Sequence, residues 1–380
     1  MSARAESQKV ESLASVGGGA LRILSVHGLL IITLVVIAIF SLERPSDFPT
    51  LLNFQSVGNI RAPYALLALA VMIPLAANEF DLSVGFFAEL ACILVVGFQV
   101  KSGISWELAC LLVIALGALV GLINGVLVTK FRVSSFIATL GVGTFIVGVS
   151  GWYSKGELIY FGGARSSGSS AQLGVSGGPT GFFNLTGNFL GIPVALLITV
   201  GLGIVLWFAL EYLAVGRNLY VIGANPRAAG LSGISVDRLK ILSFVASGTI
   251  TAIAGCLLGS QLQVGQLGLN QSLLLPAFAG ALLGQTSVRP GRVNVWGTLI
   301  ATALLGITVS GLQMVGAAPY WEMLFNGSIL VAAVALAEFA ALRREAISAH
   351  HERQELGESA PREPQPAAEQ SAQAQKDTVT

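Results

Sequence analysis

Two carboxylates set among apolar residues are the groups in this chain best placed to do chemistry. The run NEFDLSVG puts Asn78, Glu79 and Asp81 between hydrophobic stretches, and Asp81, Gly85 and Glu89 follow one another at i, i+4 and i+8. On a helix that spacing lines up both acids on one face with a glycine between them. A charge at the centre of a membrane helix costs about 2.5 to 3.5 kcal/mol on insertion scales, so its presence calls for a partner or a task. Two readings stand side by side. Either the face borders a water-filled pathway, or Asp81 caps the third helix while Glu89 pairs with a neighbouring Ser, Thr or Arg. Further polar side chains within or beside apolar runs extend the candidate pathway lining to Asn124, Thr144, Gln261, Asn270 and Gln285. Each could equally bond between helices for about 1 kcal/mol.

A second stretch carries its own punctuation. Within GRNLYVIGANPRAAGLSGISVDRLK, residues 216–240, Asn225 is placed to cap a helix and Pro226 suits its first position. Gly233 suits a left-handed stop after Leu231 and Ser232. Barely two turns lie between these signals, too few to persist alone in water, so the helix must gain stability by docking. A partner protein or the lipid headgroups could supply the surface.

Other chemistries lack their residues. No G-x-x-x-x-G-K-S/T run is present, so ATP hydrolysis is not expected of this chain, and it reads as a non-enzyme. Cys92, Cys110 and Cys256 each sit in an apolar run without C-x-x-C spacing and read as small packing residues. His27 stands at a membrane boundary, and His350 and His351 lie in the tail, so neither a metal site nor a cofactor is expected. A net charge of +1 without a basic stripe argues against nucleic acid as a partner.

The elements that must position these residues follow from composition. Hydrophobic residues make up 54% of the chain and charged residues only 11%, against roughly a quarter in soluble domains. Mean hydropathy is +0.76. The fold class is therefore all-α, a polytopic transmembrane bundle. Given that about 20 residues span a 30 Å core, about ten segments qualify, near 23–42, 60–77, 82–100, 106–128, 133–152, 189–211, 240–262, 272–286, 294–315 and 320–341. The first is too long for a signal-peptide core and lacks a cleavage site, so it counts as a helix. The eighth is short enough to be re-entrant or broken. With this count Arg22, Lys130, Arg132, Arg217, Arg227, Arg238, Lys240, Arg289, Arg292, Arg343 and Arg344 all fall on one side, which predicts that both termini are cytoplasmic. A transmembrane domain then covers 21–344, with an extracytoplasmic loop at 153–188 and a cytoplasmic loop at 212–239. Residues 1–20 and 345–380, rich in Ser, Ala, Glu, Gln and Pro, read as disordered tails. Gly117, Gly121 and Gly125, then Gly141 and Gly148, permit close approach between helices.

Taken in order, NEFDLSVG, GLINGVLVTKFRVSSFIATLG, the 216–240 loop and the helix after it resemble the permease subunits of ribose-type ABC sugar importers over roughly residues 50–341. The resemblance implies an inner-membrane subunit that dimerises around a translocation path for a monosaccharide or related polyol. It implies delivery by an extracytoplasmic sugar-binding protein and drive from a separate cytoplasmic ATPase. It identifies the loop helix, Asn225, Pro226, Arg227, Ala228, Ala229, Leu231, Ser232 and Gly233, as the coupling helix that docks on that ATPase. Two places depart from the family pattern. Asn78, Glu79 and Phe80 precede Asp81 where relatives carry two glycines and an isoleucine, and Gly284, Gln285, Thr286 and Ser287 replace a Gly-Gly-Thr-Ser turn. Losing glycine stiffens both. An ion-coupled secondary transporter, with Asp81 and Glu89 as its relay, is the alternative from another class.

Overall fold

A computed structural model describes residues 27–161, 180–332 and 335. The chain divides into two compact units, Met1–Ala337 and Glu338–Thr380, and the described residues all belong to the first. The expectations for the tails 1–20 and 345–380 lie outside the described residues, as does the centre of the 153–188 loop.

The helices, in order, are α1 (His27–Glu43), α2 (Leu51–Ala76), α3 (Ser83–Ser102), α4 (Trp106–Thr129), α5 (Ser135–Ser154), α6 (Thr180–Asn184), α7 (Val194–Tyr212), α8 (Ala214–Ala224), α9 (Pro226–Leu231), α10 (Val236–Leu262), α11 (Asn270–Gly284), α12 (Val295–Met314) and α13 (320–332). Seven of the described helices, α2, α3, α4, α5, α7, α10 and α12, are long and apolar enough to cross a membrane. Of the expected segments, these seven reach spanning length among the described residues. Helix α11 has only 15 residues, and the described parts of α1 and α13 cover 27–43 and 320–332. Helix α2 begins nine residues before the expected start at 60, because Thr50 accepts from the Asn53 amide at 3.2 Å and starts a helix through polar residues that hydropathy leaves outside. The region 212–239, expected as a loop around one short helix, contains two, α8 and α9.

Four two-residue strands are also present among the described residues. β1 (Ile159–Tyr160) pairs antiparallel with β4 (Val264–Gly265), and β2 (Asn188–Phe189) with β3 (Ile192–Pro193). Two-residue strands carry no alternating pattern, so hydropathy gives no sign of them.

Helices α2, α3 and α10 form the buried centre, whereas α4, α5 and α7 keep large apolar side chains on the outside, as lipid-facing helices do. The α4–α10 seam is built on glycine. A methyl on Gly117 would lie 2.4 Å from the Gly248 carbonyl oxygen, one on Gly121 2.2 Å from the Phe244 oxygen, and one on Gly125 2.8 Å from the Ile241 Cα. The i, i+4, i+8 spacing thus marks a real contact. Gly141 and Gly148 do not serve the same role, since nothing lies within 4 Å of where their side chains would start.

This contrast gives a stability prediction. Gly121→Leu should lower the thermal stability of the detergent-purified protein by more than the ~1–3 kcal/mol typical of overpacking. Gly141→Ala should leave the melting midpoint unchanged. Equal effects would mean that the α4–α10 seam is not glycine-dependent.

Candidate translocation and coupling site

Helix α2 ends at a break that the sequence marks with polar residues. The amides of Ala77 and Glu79 both donate to the Pro74 carbonyl, at 2.9 and 3.0 Å, and Asn78 turns into the left-handed region with φ +58°. Asparagine is the non-glycine residue best suited to that geometry, so the departure from a glycine pair is conformationally tolerated. The chain then runs non-helically to Ser83, with Asn78 and Phe80 exposed and Asp81 buried. Its freed backbone groups are met by side chains of α5. Ser135 of α5 accepts from the Phe80 amide at 3.1 Å and Thr139 from the Leu82 amide at 3.0 Å.

Asp81 closes this arrangement. One carboxylate oxygen accepts from the Ser83 amide at 3.1 Å and hydroxyl at 2.6 Å, and the other accepts from the Ser247 hydroxyl of α10 at 2.8 Å. Asn124 of α4 donates to the Ser83 hydroxyl at 2.8 Å. Asp81 is 1% exposed. It therefore caps α3 and ties α3, α4 and α10 together.

Glu89 stands six residues into α3, about 9 Å from its start, and is also 1% exposed. It accepts from the Asn270 amide at 2.9 Å. Asn270 is the first residue of α11, whose own N-cap, Leu269, has no side-chain acceptor. A carboxylate from α3 thus supplies the cap, with a favourable charge–dipole contribution. Gly85 allows the approach, since a methyl there would lie 2.7 Å from both the Asn270 carbonyl oxygen and the Leu274 Cβ. The preceding segment, 263–269, follows α3 outside any helix, with the Cys92 thiol 3.5 Å from the Val264 carbonyl oxygen. Helix α11 is short because this segment replaces its first turns.

Asp81 and Glu89 accordingly do not share a helical face. Helix α3 starts at Ser83, so Asp81 lies before it and points to α10, while Glu89 points to α11. The other candidates divide further. Asn124 joins Asp81, and Asn270 joins Glu89. Gln261 donates to the Asn59 carbonyl at 2.7 Å near the far end of α10. Thr144 is exposed on α5 and donates to its own helix at Leu140. Gln285 is the C-cap of α11. They do not converge on one pocket.

Beside the break opens a cleft of about 660 Å³ lined by Asn78, Glu79, Thr129, Arg132, Ser135, Arg227, Asp237 and Lys240. Lys240, expected in a loop, is in the second turn of α10, where it forms a largely buried ion pair with Glu79. Helix α9 borders the same cleft. The Asn225 side chain accepts from the amides of Arg227 and Ala228 at 3.1 and 3.0 Å, and Gly233 has φ +81°. These are the caps the spacing predicts. Ala229 is fully buried, but Leu231 is 91% exposed.

The hydroxyls of Ser83, Ser135, Thr139 and Ser247, and the pairing of Glu79 with Lys240, carry no local mark in the sequence. Small hydroxyls are common in apolar helices, where most bond to their own backbone, and nothing local marks these as cross-helix partners.

The family described as "Branched-chain amino acid transport system / permease component" matches residues 56–334. The chain belongs to this permease family. The permease is 34% identical over 302 residues to ribose import permease protein RbsC of Bacillus subtilis (strain 168), across 80% of its own length and 89% of the relative's. RbsC of Escherichia coli (strain K12) is 30% identical over 308 residues, covering 80% and 91% of the two chains. L-arabinose ABC transporter permease protein AraH of Azospirillum brasilense is 28% identical over 331 residues, covering 87% and 92%. No solved structure matches the chain. The permease is a transport component of the cell membrane and not an enzyme, and its relatives favour the importer reading over an ion-coupled transporter.

The geometry around Glu89 separates shape from charge. Glu89→Ala leaves the Asn270 amide unpaired and should cost the purified permease ~1–3 kcal/mol of stability. Glu89→Gln keeps an acceptor oxygen and should retain most of it. Thermal melts of both variants check this, and an equal loss in the two would point to the charge itself.

Proposed function

We propose that this permease is the membrane-spanning subunit of an ABC importer for a monosaccharide or related polyol, working as a homodimer with a separate ATPase and an extracytoplasmic sugar-binding protein. The ribose and arabinose permeases among its relatives support the substrate class. In this reading ten segments enter the bilayer, residues 21–344 form the permease domain, and both termini and the tails are cytoplasmic. The basic loops support that sidedness because they meet at one end of the bundle. Arg132 lies 4.0 Å from Asp237, Arg292 stacks 3.4 Å over the Tyr220 ring, and Gly223 packs against the Ala76 carbonyl.

The observation that carries the coupling role is helix α9 with its neighbours. Six residues are capped at both ends and anchored by Ala229, and they present Leu231 and Arg227 outward. An exposed leucine on so short a helix is a docking feature. The Ile234 amide donates to the Ala229 carbonyl at 3.1 Å, so α9 is tied to the start of α10. There Lys240 holds Glu79 at the α2–α3 break. A push on α9 by the ATPase would reach α10, then the break, then α3 with Glu89 and α11. The path would open as these elements shift against the 660 Å³ cleft.

Substrate hydroxyls would meet polar groups near the two breaks, Asp81, Asn124, Glu89 and Asn270, with Thr144, Gln261 and Gln285 outside that region.

Changing Arg227 or Leu231 to Asp should abolish sugar uptake and its coupling to ATP hydrolysis while the protein still inserts and accumulates in the membrane. Uptake in membrane vesicles, measured beside ATPase activity of the purified complex, tests this; normal uptake in both variants would sink the coupling assignment. The sidedness has its own check, since a reporter fused after residue 341 should be active only in the cytoplasmic form.

A further inference from the structure

Where α7 ends, α8 crosses and the α11–α12 turn returns, two arginines and three aromatic residues enclose a cavity of about 90 Å³. Arg289 is ion-paired with Glu211. Arg292 has no carboxylate partner among the described residues. Its guanidinium rests 3.4 Å from the centroid of the Tyr220 ring, and its Nε is buried without a hydrogen-bond partner. The Tyr220 hydroxyl is committed to the Val293 carbonyl at 3.0 Å, and burial pushes its phenol above the ordinary value, so it supplies no counter-charge. With Glu211 spent on Arg289, the pocket keeps one unneutralised cation.

Trp296 lines both this pocket and an apolar groove of about 390 Å³ between α2, α7 and α12. The Trp207 and Trp296 rings lie 6.1 Å apart, an arrangement suited to the membrane interface. From Trp296 the groove follows α12 through Leu299, Ile300 and Ala303 to Ile307. That is about 16 Å of helix, at 1.5 Å per residue, against roughly 15 Å for one leaflet of a 30 Å core.

We propose that Arg292, Trp296 and this groove form a binding site for one anionic phospholipid, with the phosphate at the Arg292 guanidinium and an acyl chain along α12. Cation, interfacial tryptophans and a one-leaflet apolar trough follow in the order of phosphate, glycerol and chain. A soluble anion would use the cation but leave the trough unused. Basic pockets between membrane helices recognise anionic headgroups on the same physical basis.

The test is native mass spectrometry of the full-length permease released from nanodiscs of phosphatidylcholine with phosphatidylglycerol. Wild type should retain one phosphatidylglycerol in preference to phosphatidylcholine. Arg292→Gln should lower that retention about fivefold, the effect of one basic group at an anionic surface, while Arg292→Lys restores it. Trp296→Ala, which spares the charge, should weaken retention too, so the proposal is tested even where Arg292→Gln folds poorly. Equal retention of both lipids, or no loss in Arg292→Gln and Trp296→Ala, overturns it. Displacement of the lipid by inorganic phosphate alone would also overturn it, by marking a plain anion site.

Discussion

A backbone amide or carbonyl that leaves a helix inside an apolar bundle has no water to bond, and leaving it unpaired costs several kcal/mol. This permease leaves the helix at two partly buried places beside α3, at 77–82 and at 263–269. Much of its polar chemistry answers to those two departures. Pro74, Ser135 and Thr139 receive the amides at the first break, and Asp81 holds Ser83. At the second, Glu89 receives the amide at the head of α11. The glycine seams follow from the same demand, since side chains can reach across only where backbones come close.

The same residues connect to transport. A break whose backbone bonds to α5, and whose Asp81 and Ser83 side chains bond to α10 and α4, has several discrete partners to exchange, whereas a continuous helix has none. The Glu79–Lys240 pair lies between the break and the start of α10, so the elements nearest α9 are held by one buried ion pair. Desolvation offsets much of the attraction in such a buried pair. Its position suits it better to fixing the register of α10 against the break.

The departures from the family pattern take on physical meaning here. Asn78 occupies a left-handed position that glycine would otherwise fill, and Glu79 provides the partner for Lys240. In the α11–α12 turn Asn294 donates to the carbonyls of Gly284, Ser287 and Arg292 and caps α12 through Gly297. Val288 there adopts φ +62°, a strained choice for a β-branched residue.

Local signals were legible where they act over a few residues. Hydropathy located the apolar helices, because burial in lipid needs a continuous run. Asn225, Pro226 and Gly233 announced α9, because caps act within one turn. The i+4 glycines announced a tight seam but not its partner, while Gly141 and Gly148, seven residues apart, lie on an open face. The roles of Asp81 and Glu89 were beyond reach of spacing. Both were visible as misplaced charges, yet whether they faced one pathway or two different helices depended on where α3 begins and on which segment, 166 or 181 residues away, was folded against each. Sequence alone determined that these acids must be answered inside the bundle; only the tertiary structure decided by which atoms, since Ser247 and the Asn270 amide come from helices remote along the chain.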